Sequence, residues 1–210
     1  MKKAIIIFLA VFCALKGYSQ NAFKPLENTE TLKKGVKITA EKTSSLTTSF
    51  KQEKHISILT KPLKSAGKMY FKKPDLLKWA YISPYNYAII FKEERIIIND
   101  EGKVSNFDLS SSKSFMEINQ IMMNSVSGNI LQEDQFDIDY LSSPEQYLAK
   151  MKPKSEQMKS YITSIEVFID KVDFTVSKIK LNEKNGDFTE IDFYDKKLNA
   201  KVSDAVFQAQ

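Results

Sequence analysis

The sequence predicts a mainly β protein with a few helices, an α+β chain dominated by antiparallel strands. Three observations carry that expectation. One segment near the amino terminus and one near the middle place apolar residues at helical spacing. Most of the remainder alternates apolar and polar residues with a period of two. Turn signals separate those alternating runs, the strongest being Asn185-Gly186.

The first residues are an address rather than part of the fold. Met1 to Ser19 reads as a secretory signal peptide: Lys2 and Lys3 begin it, and the apolar run Ile5 to Leu15 is too short to span a bilayer. Gly17 and Ser19 are the small residues that precede a cleavage before Gln20. Cys13 follows the bulky Phe12, unlike a lipid-modified cysteine, and belongs to the removed segment. Residues 20–210 then form a single domain, without cysteine, suited to an oxidising compartment.

Glu30 to Leu46 is the first helix. Leu32, Val36 and Ala40 recur at helical spacing, Ile38 stands off that line, and Gly35 weakens the segment. From Ser45 the period changes to two. Successive strands are expected around Phe50, over Gly67 to Lys73, from Leu77 to Tyr81, from Tyr87 to Phe91, over Ile96 to Ile98 and from Val104 to Leu109. Pro74-Asp75, Ser83-Pro84 and Asn99 to Gly102 are the turns between them. Phe115 to Val126 returns to helical spacing. Strands resume at Phe136 to Leu141 and Tyr147 to Met151, with a helical turn over Ser155 to Ser160. Ile162 to Asp170, Phe174 to Glu183, Phe188 to Tyr194 and Val206 to Gln208 complete the series.

Composition narrows the chemistry. A single His, His55, and a single Cys exclude a multi-histidine or cysteine-based metal site within the chain. No Gly-rich phosphate loop or nucleophile elbow is present. Asp137 and Asp139, and likewise Asp187, Glu190 and Asp192, alternate with apolar residues as a solvated strand face does. Removal of Lys2, Lys3 and Lys16 from the 31 cations leaves 28 against 26 acids, a net of +2. Only Arg95 is an arginine, and lysines interleave with acids, a pattern that argues against nucleic-acid binding. No cofactor is implied.

The more informative signal is apolar excess in two places. One is the row Met69, Phe71, Leu77, Trp79, Tyr81, Ile89 and Phe91; the other is the Met-rich run Phe115 to Met123. Methionine suits surfaces that repack around variable apolar cargo. Plain packing of a sheet on a helix fits the same pattern.

The run from Gly67 through Lys73-Pro74 to Trp79, continuing through Tyr81 to Pro84, resembles the hallmark segment of LolA-type periplasmic carriers of outer-membrane lipoproteins. Ser49-Phe50-Lys51-Gln52 is similar to the first strand of that family. The resemblance implies an incomplete antiparallel β-barrel, a half-barrel, with a helical lid and an apolar cavity between them. It assigns Phe50, Met69, Phe71, Leu77, Trp79, Tyr81, Ile89 and Phe91 to the acyl-chain wall, and Phe115, Ile118 and Met122 to the lid. Lys73 stands where the better-known carriers have a lid-latching arginine, and Lys offers fewer donors than the planar Arg fork. The implied function is that of a monomeric, non-enzymatic chaperone carrying acylated lipoproteins across the periplasm. An inner-membrane ABC transporter would load it, and an outer-membrane acceptor would unload it. A paralogous carrier of another lipid or a polyene on the same fold is the alternative.

Overall fold

A computed structural model of the chain describes residues 22–92, 95–108 and 130–209. The segment read from sequence as a signal peptide and the segment carrying Phe115, Ile118 and Met122 lie outside the described residues. The elements are β1 (Lys24–Pro25), α1 (Glu30–Lys42), β2 (Ser45–His55), β3 (Leu63–Lys72), β4 (Leu76–Ser83), β5 (Tyr87–Lys92), β6 (Arg95–Asp100) and β7 (Lys103–Asp108). They continue with β8 (Phe136–Ser142), β9 (Gln146–Pro153), α2 (Glu156–Lys159), β10 (Ile162–Asp170), β11 (Val176–Glu183) and β12 (Phe188–Leu198). A 3-10 turn over Asp204–Phe207 ends the series.

The strands form one antiparallel sheet in the order β1-β8-β9-β10-β11-β12-β2-β3-β4-β5-β6-β7, and the sheet does not close. Its centre is a long-range pairing of β12 with β2, which sets Phe193 opposite Phe50 and Ile191 opposite Gln52. Each hairpin on either side is local. Glu101 and Gly102 both have positive φ, the conformation their two-residue hairpin requires, and Gly186 has positive φ in the longer turn between β11 and β12.

One face of the sheet is the inner face, and it carries two clusters. Over β8 to β11, Leu32 and Val36 of α1 pack on Tyr147, Ala149, Met151, Ile165, Val167 and Ile169. Over β2 to β6 the buried cluster is Leu46, Phe50, Met69, Phe71, Leu77, Trp79, Phe91 and Ile96. The opposite face is charged over β8–β9 and β11–β12, with Lys152 and Lys154 reaching Asp139 and Asp137, and Lys178 and Lys180 reaching Glu190. Behind β5 that outer face is covered by Val202 and Phe207, packed on Ile90.

Several expected boundaries shift, for physical reasons. The first helix ends at Lys42, not Leu46. Thr43 turns extended and its hydroxyl donates back to the Thr39 carbonyl at 2.7 Å, so Leu46 belongs to β2. Phe174 is not in a strand. It has φ +55 in a turn closed by Phe174 N donating to the Asp170 carbonyl, and β11 begins at Val176. Val206 to Gln208 is not a strand either, because the Ser203 hydroxyl accepts from Ala205 N and starts a 3-10 turn instead. Asp187, expected on a solvated face, is buried. It accepts from Ser57 N at 2.8 Å and from Asn185 Nδ2 at 2.9 Å.

Candidate functional site

The aromatic cluster is assembled by strand alternation and one glycine. Gly67 pairs with Phe50 on one side and Tyr81 on the other. A Cβ there would stand 2.6 Å from Phe50 Cζ and 2.0 Å from the Ala80 carbonyl oxygen. The missing side chain lets Phe50 lie across β3 and meet the rings of β4. Phe50 and Trp79 have ring centroids 4.3 Å apart, and Tyr81 stands edge-on to Phe50 at 5.3 Å. Phe193 of β12 meets Trp79 edge-on at 5.9 Å. Such offset and edge-to-face pairs add attraction beyond area burial.

The structure brings together the eight residues expected on the wall. Phe50, Met69, Phe71, Leu77, Trp79 and Phe91 are buried in one cluster, with Tyr81 and Ile89 packed against it. Every member comes from a strand. Leu46, Ile96, Ile98, Ile191 and Phe193 join them, although the sequence reading had not placed them there. Ile191 and Phe193 carry the right alternation; only the β12–β2 pairing tells which wall they complete.

The wall becomes polar at one end. The Tyr81 hydroxyl donates to Gln52 Oε1 at 3.1 Å. Burial pushes the Tyr81 phenol above its ordinary pKa, so it stays a neutral donor. Trp79 Nε1 is buried and approaches Tyr81 without reaching hydrogen-bond geometry; it has no hydrogen-bond partner.

At the other end stands Lys73. Its Nζ donates to the carbonyls of Ala40 at 2.8 Å and Glu41 at 3.1 Å. The carbonyls it reaches therefore belong to the last turn of α1, near the amino terminus. Asn199 Nδ2 donates to the next carbonyl, that of Lys42, at 3.1 Å, while its Oδ1 accepts from Ser44 N at 2.7 Å. A helix leaves its last four carbonyls without partners of its own, and a cation there is favoured by the helix dipole. Lys73 and Asn199 thus tie three of them to the sheet. Asn199 escaped sequence reasoning because it lies 157 residues from Lys42.

A cavity of about 50 Å³ lies at the seam between α1 and the aromatic wall. Val36, Thr39 and Ala40 of α1, with Thr43 just past its end, line one side; Leu46, Met69, Ile169, Val176 and Phe193 line the other. Lys196 stands in its lining, with Nζ donating to Thr175 Oγ1 at 2.5 Å and 3.7 Å from Asp173 Oδ2. This space holds only a few water-sized spheres of about 10–15 Å³ each. His55, read from sequence as a surface residue, stacks on Phe188 at 4.2 Å.

An unclosed antiparallel sheet with an apolar inner face, half of it roofed by one helix, defines the class of LolA-like half-barrel proteins. The chain belongs to the family described as outer membrane lipoprotein carrier protein LolA, whose family model matches residues 41–210. A search of curated protein sequences finds no match. Among solved structures, the fold is similar to an uncharacterized conserved protein from Thermus thermophilus, with TM-score 0.52, 9% identity, and coverage of 84% of this chain and 90% of that one. It is also similar to the MucA/MucB complex structure of Pseudomonas aeruginosa, with TM-score 0.51 and 10% identity; the match covers 86% of this chain and 60% of that one. The lipoprotein LppX of Mycobacterium tuberculosis matches at TM-score 0.48 and 11% identity, over 82% of this chain and 97% of that one.

Proposed function

We propose that this protein is a periplasmic carrier that shields the acyl chains of outer-membrane lipoproteins, with no catalytic step of its own. The observation that supports this most is the aromatic and aliphatic wall built from strands alone, beside a helix held by polar side-chain anchors at its end. Each acyl CH₂ taken from water is worth roughly 0.8 kcal/mol, so a lipid-anchored protein does not cross water unaided. Phe50, Trp79 and their neighbours would receive the chains. Phe115, Ile118 and Met122 would cover them. An inner-membrane transporter would load the carrier and an outer-membrane acceptor would empty it.

In this reading Lys73 holds α1 in the closed, empty state and lets go when chains enter. Lys73→Leu then retains cargo longer and transfers it more slowly, whereas Lys73→Arg transfers at least as well as the native protein. The direct test is Trp79 fluorescence during titration with an acylated peptide. The spectrum is expected to shift as binding saturates; an unchanged spectrum at saturation removes Trp79 from the wall. Ile118→Glu, which puts a carboxylate where an acyl chain must lie, is expected to abolish uptake with the fold retained. Depletion in the native host, followed by fractionation of its lipoproteins, tests the cellular role, and unchanged sorting would refute it.

A further inference from the structure

Trp79 is the only tryptophan in the chain, and its ring is 5% exposed. Among the described residues, its Nε1 is the one buried side-chain nitrogen or oxygen without a hydrogen-bond partner. The ring is held by Phe50 at 4.3 Å and by Phe193 at 5.9 Å, so its position is fixed by packing. A phenyl ring would pack on these neighbours without carrying a buried donor. The N–H approaches the Tyr81 hydroxyl but makes no hydrogen bond of proper geometry, so the donor is left unsatisfied, which is unfavourable, and packing does not explain why this position has one.

The surroundings say what would accept it. Along β4 the inner row runs from Leu77 through Trp79 to Tyr81, and beside Tyr81 stands Gln52. The wall therefore passes from hydrocarbon to neutral polar groups over two residues of one strand. Trp79 stands at that transition. The rings that surround Trp79 are those of Phe50, Tyr81 and Phe193, all of them neutral. An anionic acceptor would lose its hydration among them without compensation from these neighbours. A neutral carbonyl oxygen is an acceptor that is far easier to desolvate, and a hydrocarbon or polyene offers no acceptor.

We propose that Trp79 Nε1 is a hydrogen-bond donor to the carbonyl oxygen that joins an acyl chain to its headgroup, an ester or an amide. This rests on the carrier reading and adds to it a chemical criterion for the guest. It also sets the guest's direction. The acyl carbonyl lies at the Trp79–Tyr81–Gln52 end and the hydrocarbon runs along Leu77 and Phe71 toward Lys73.

The test uses the mature protein and three synthetic lipopeptides of equal chain length. One carries a diacylglyceryl thioether with two ester links, the second is its diether counterpart, and the third is the diether with an added N-acyl amide. The native protein is expected to bind the diester about tenfold more tightly than the diether, the gain of one buried hydrogen bond. If the amide carbonyl is the one read, the third ligand shows that gain and the diester does not. The single indole N–H resonance of the ¹⁵N-labelled protein moves downfield with the favoured ligand and not with the diether, a readout that needs no variant. Trp79→Phe is expected to bind all three alike. Equal affinities of the native protein for all three, or a preference that survives in Trp79→Phe, would overturn the assignment and leave the carrier reading standing. Failure of the native protein to bind any of them would overturn both.

Discussion

The two halves of the inner face are apolar in different ways. Over β8 to β11 the sheet is aliphatic, and α1 fills it with Leu32, Val36 and the close approach of Gly35 to Phe174. Over β2 to β6 the sheet is aromatic, every side chain of the cluster comes from a strand, and the polar atoms collect at one end. The aliphatic half packs against α1. The aromatic half is buried as well, and it packs through flat, polarizable rings and a methionine. The contrast teaches that one continuous sheet face can be packed in two ways, aliphatic against a helix and aromatic between strands, with the seam cavity between them; in the carrier reading these divide stability from capacity.

Loss of Leu32 should show that separation most strongly. Its side chain is fully buried between α1 and the sheet. Leu32→Ala is expected to lower stability by about 2–5 kcal/mol, read by urea unfolding. Acyl-peptide affinity per folded molecule should stay unchanged. A large loss of affinity with stability intact would mean that both halves bind the guest. Gly35→Ala comes next. A Cβ there would stand 2.2 Å from Phe174 Cδ1, and Phe174 is itself stacked on Tyr147 at a centroid distance of 6.2 Å. The net loss is expected at about 1–2 kcal/mol, the strain of overpacking less the gain in helix propensity. Phe174→Leu in the same chain should relieve it. If Gly35→Ala is neutral alone, the helix does not seat as closely as the structure has it.

Much of this division was legible in the sequence. The period-two rows picked out seven residues from Met69 to Phe91, the resemblance added Phe50, and Leu32, Val36 and Ala40 marked the buried stripe of α1. The parts that escaped depend on long-range pairing. Phe193 completes the aromatic wall only because β12 lies beside β2, and alternation within a strand carries no information about its neighbour. Asn199 reaches α1 across the same junction. Asp187 looked solvated because its own strand alternates, whereas its burial comes from the loop after β2 folding over it. Phe174 looked like a strand residue because its turn relies on backbone bonds to Asp170 and carries no Gly or Pro.

Lys73 sharpens the comparison at the seam. Removing its ammonium takes a partner from two carbonyls of α1, yet the Thr43 amide still donates to that of Ala40 and Asn199 still holds a third. Lys73→Leu is therefore expected to cost only about 1 kcal/mol. Amide hydrogen exchange should quicken in the last turn of α1 and stay unchanged in β3 to β5. Adding Asn199→Ala should enlarge the effect beyond the sum of the two single changes, because the remaining anchor is shared. Strict additivity would mean that the two side chains hold the helix independently.

The smallest expected effect is acid sensitivity, and it differs between the halves. On the helix-covered side Glu133 is held below the usual carboxylate range, first by the hydrogen bond from Lys33 at 2.6 Å and then by that from the Tyr140 hydroxyl at 3.0 Å. On the other side Asp187 is lowered chiefly by the backbone N–H of Ser57. A carboxylate with a depressed folded pKa stabilises the protein above its unfolded value of about 4. That contribution is lost as pH falls through the folded value. Both halves should therefore weaken between about pH 5 and pH 3. Salt separates them. The Lys33–Glu133 pair is solvent-exposed and should fade as ionic strength rises, whereas the bond from the neutral Ser57 amide should not. Glu133→Gln is expected to remove the acid-induced loss of amide protection in α1 and to make that helix insensitive to salt. Asp187→Asn should leave α1 untouched and loosen the loop that follows β2. Equal salt dependence of the two regions would mean that Ser57 is not what holds Asp187 ionised.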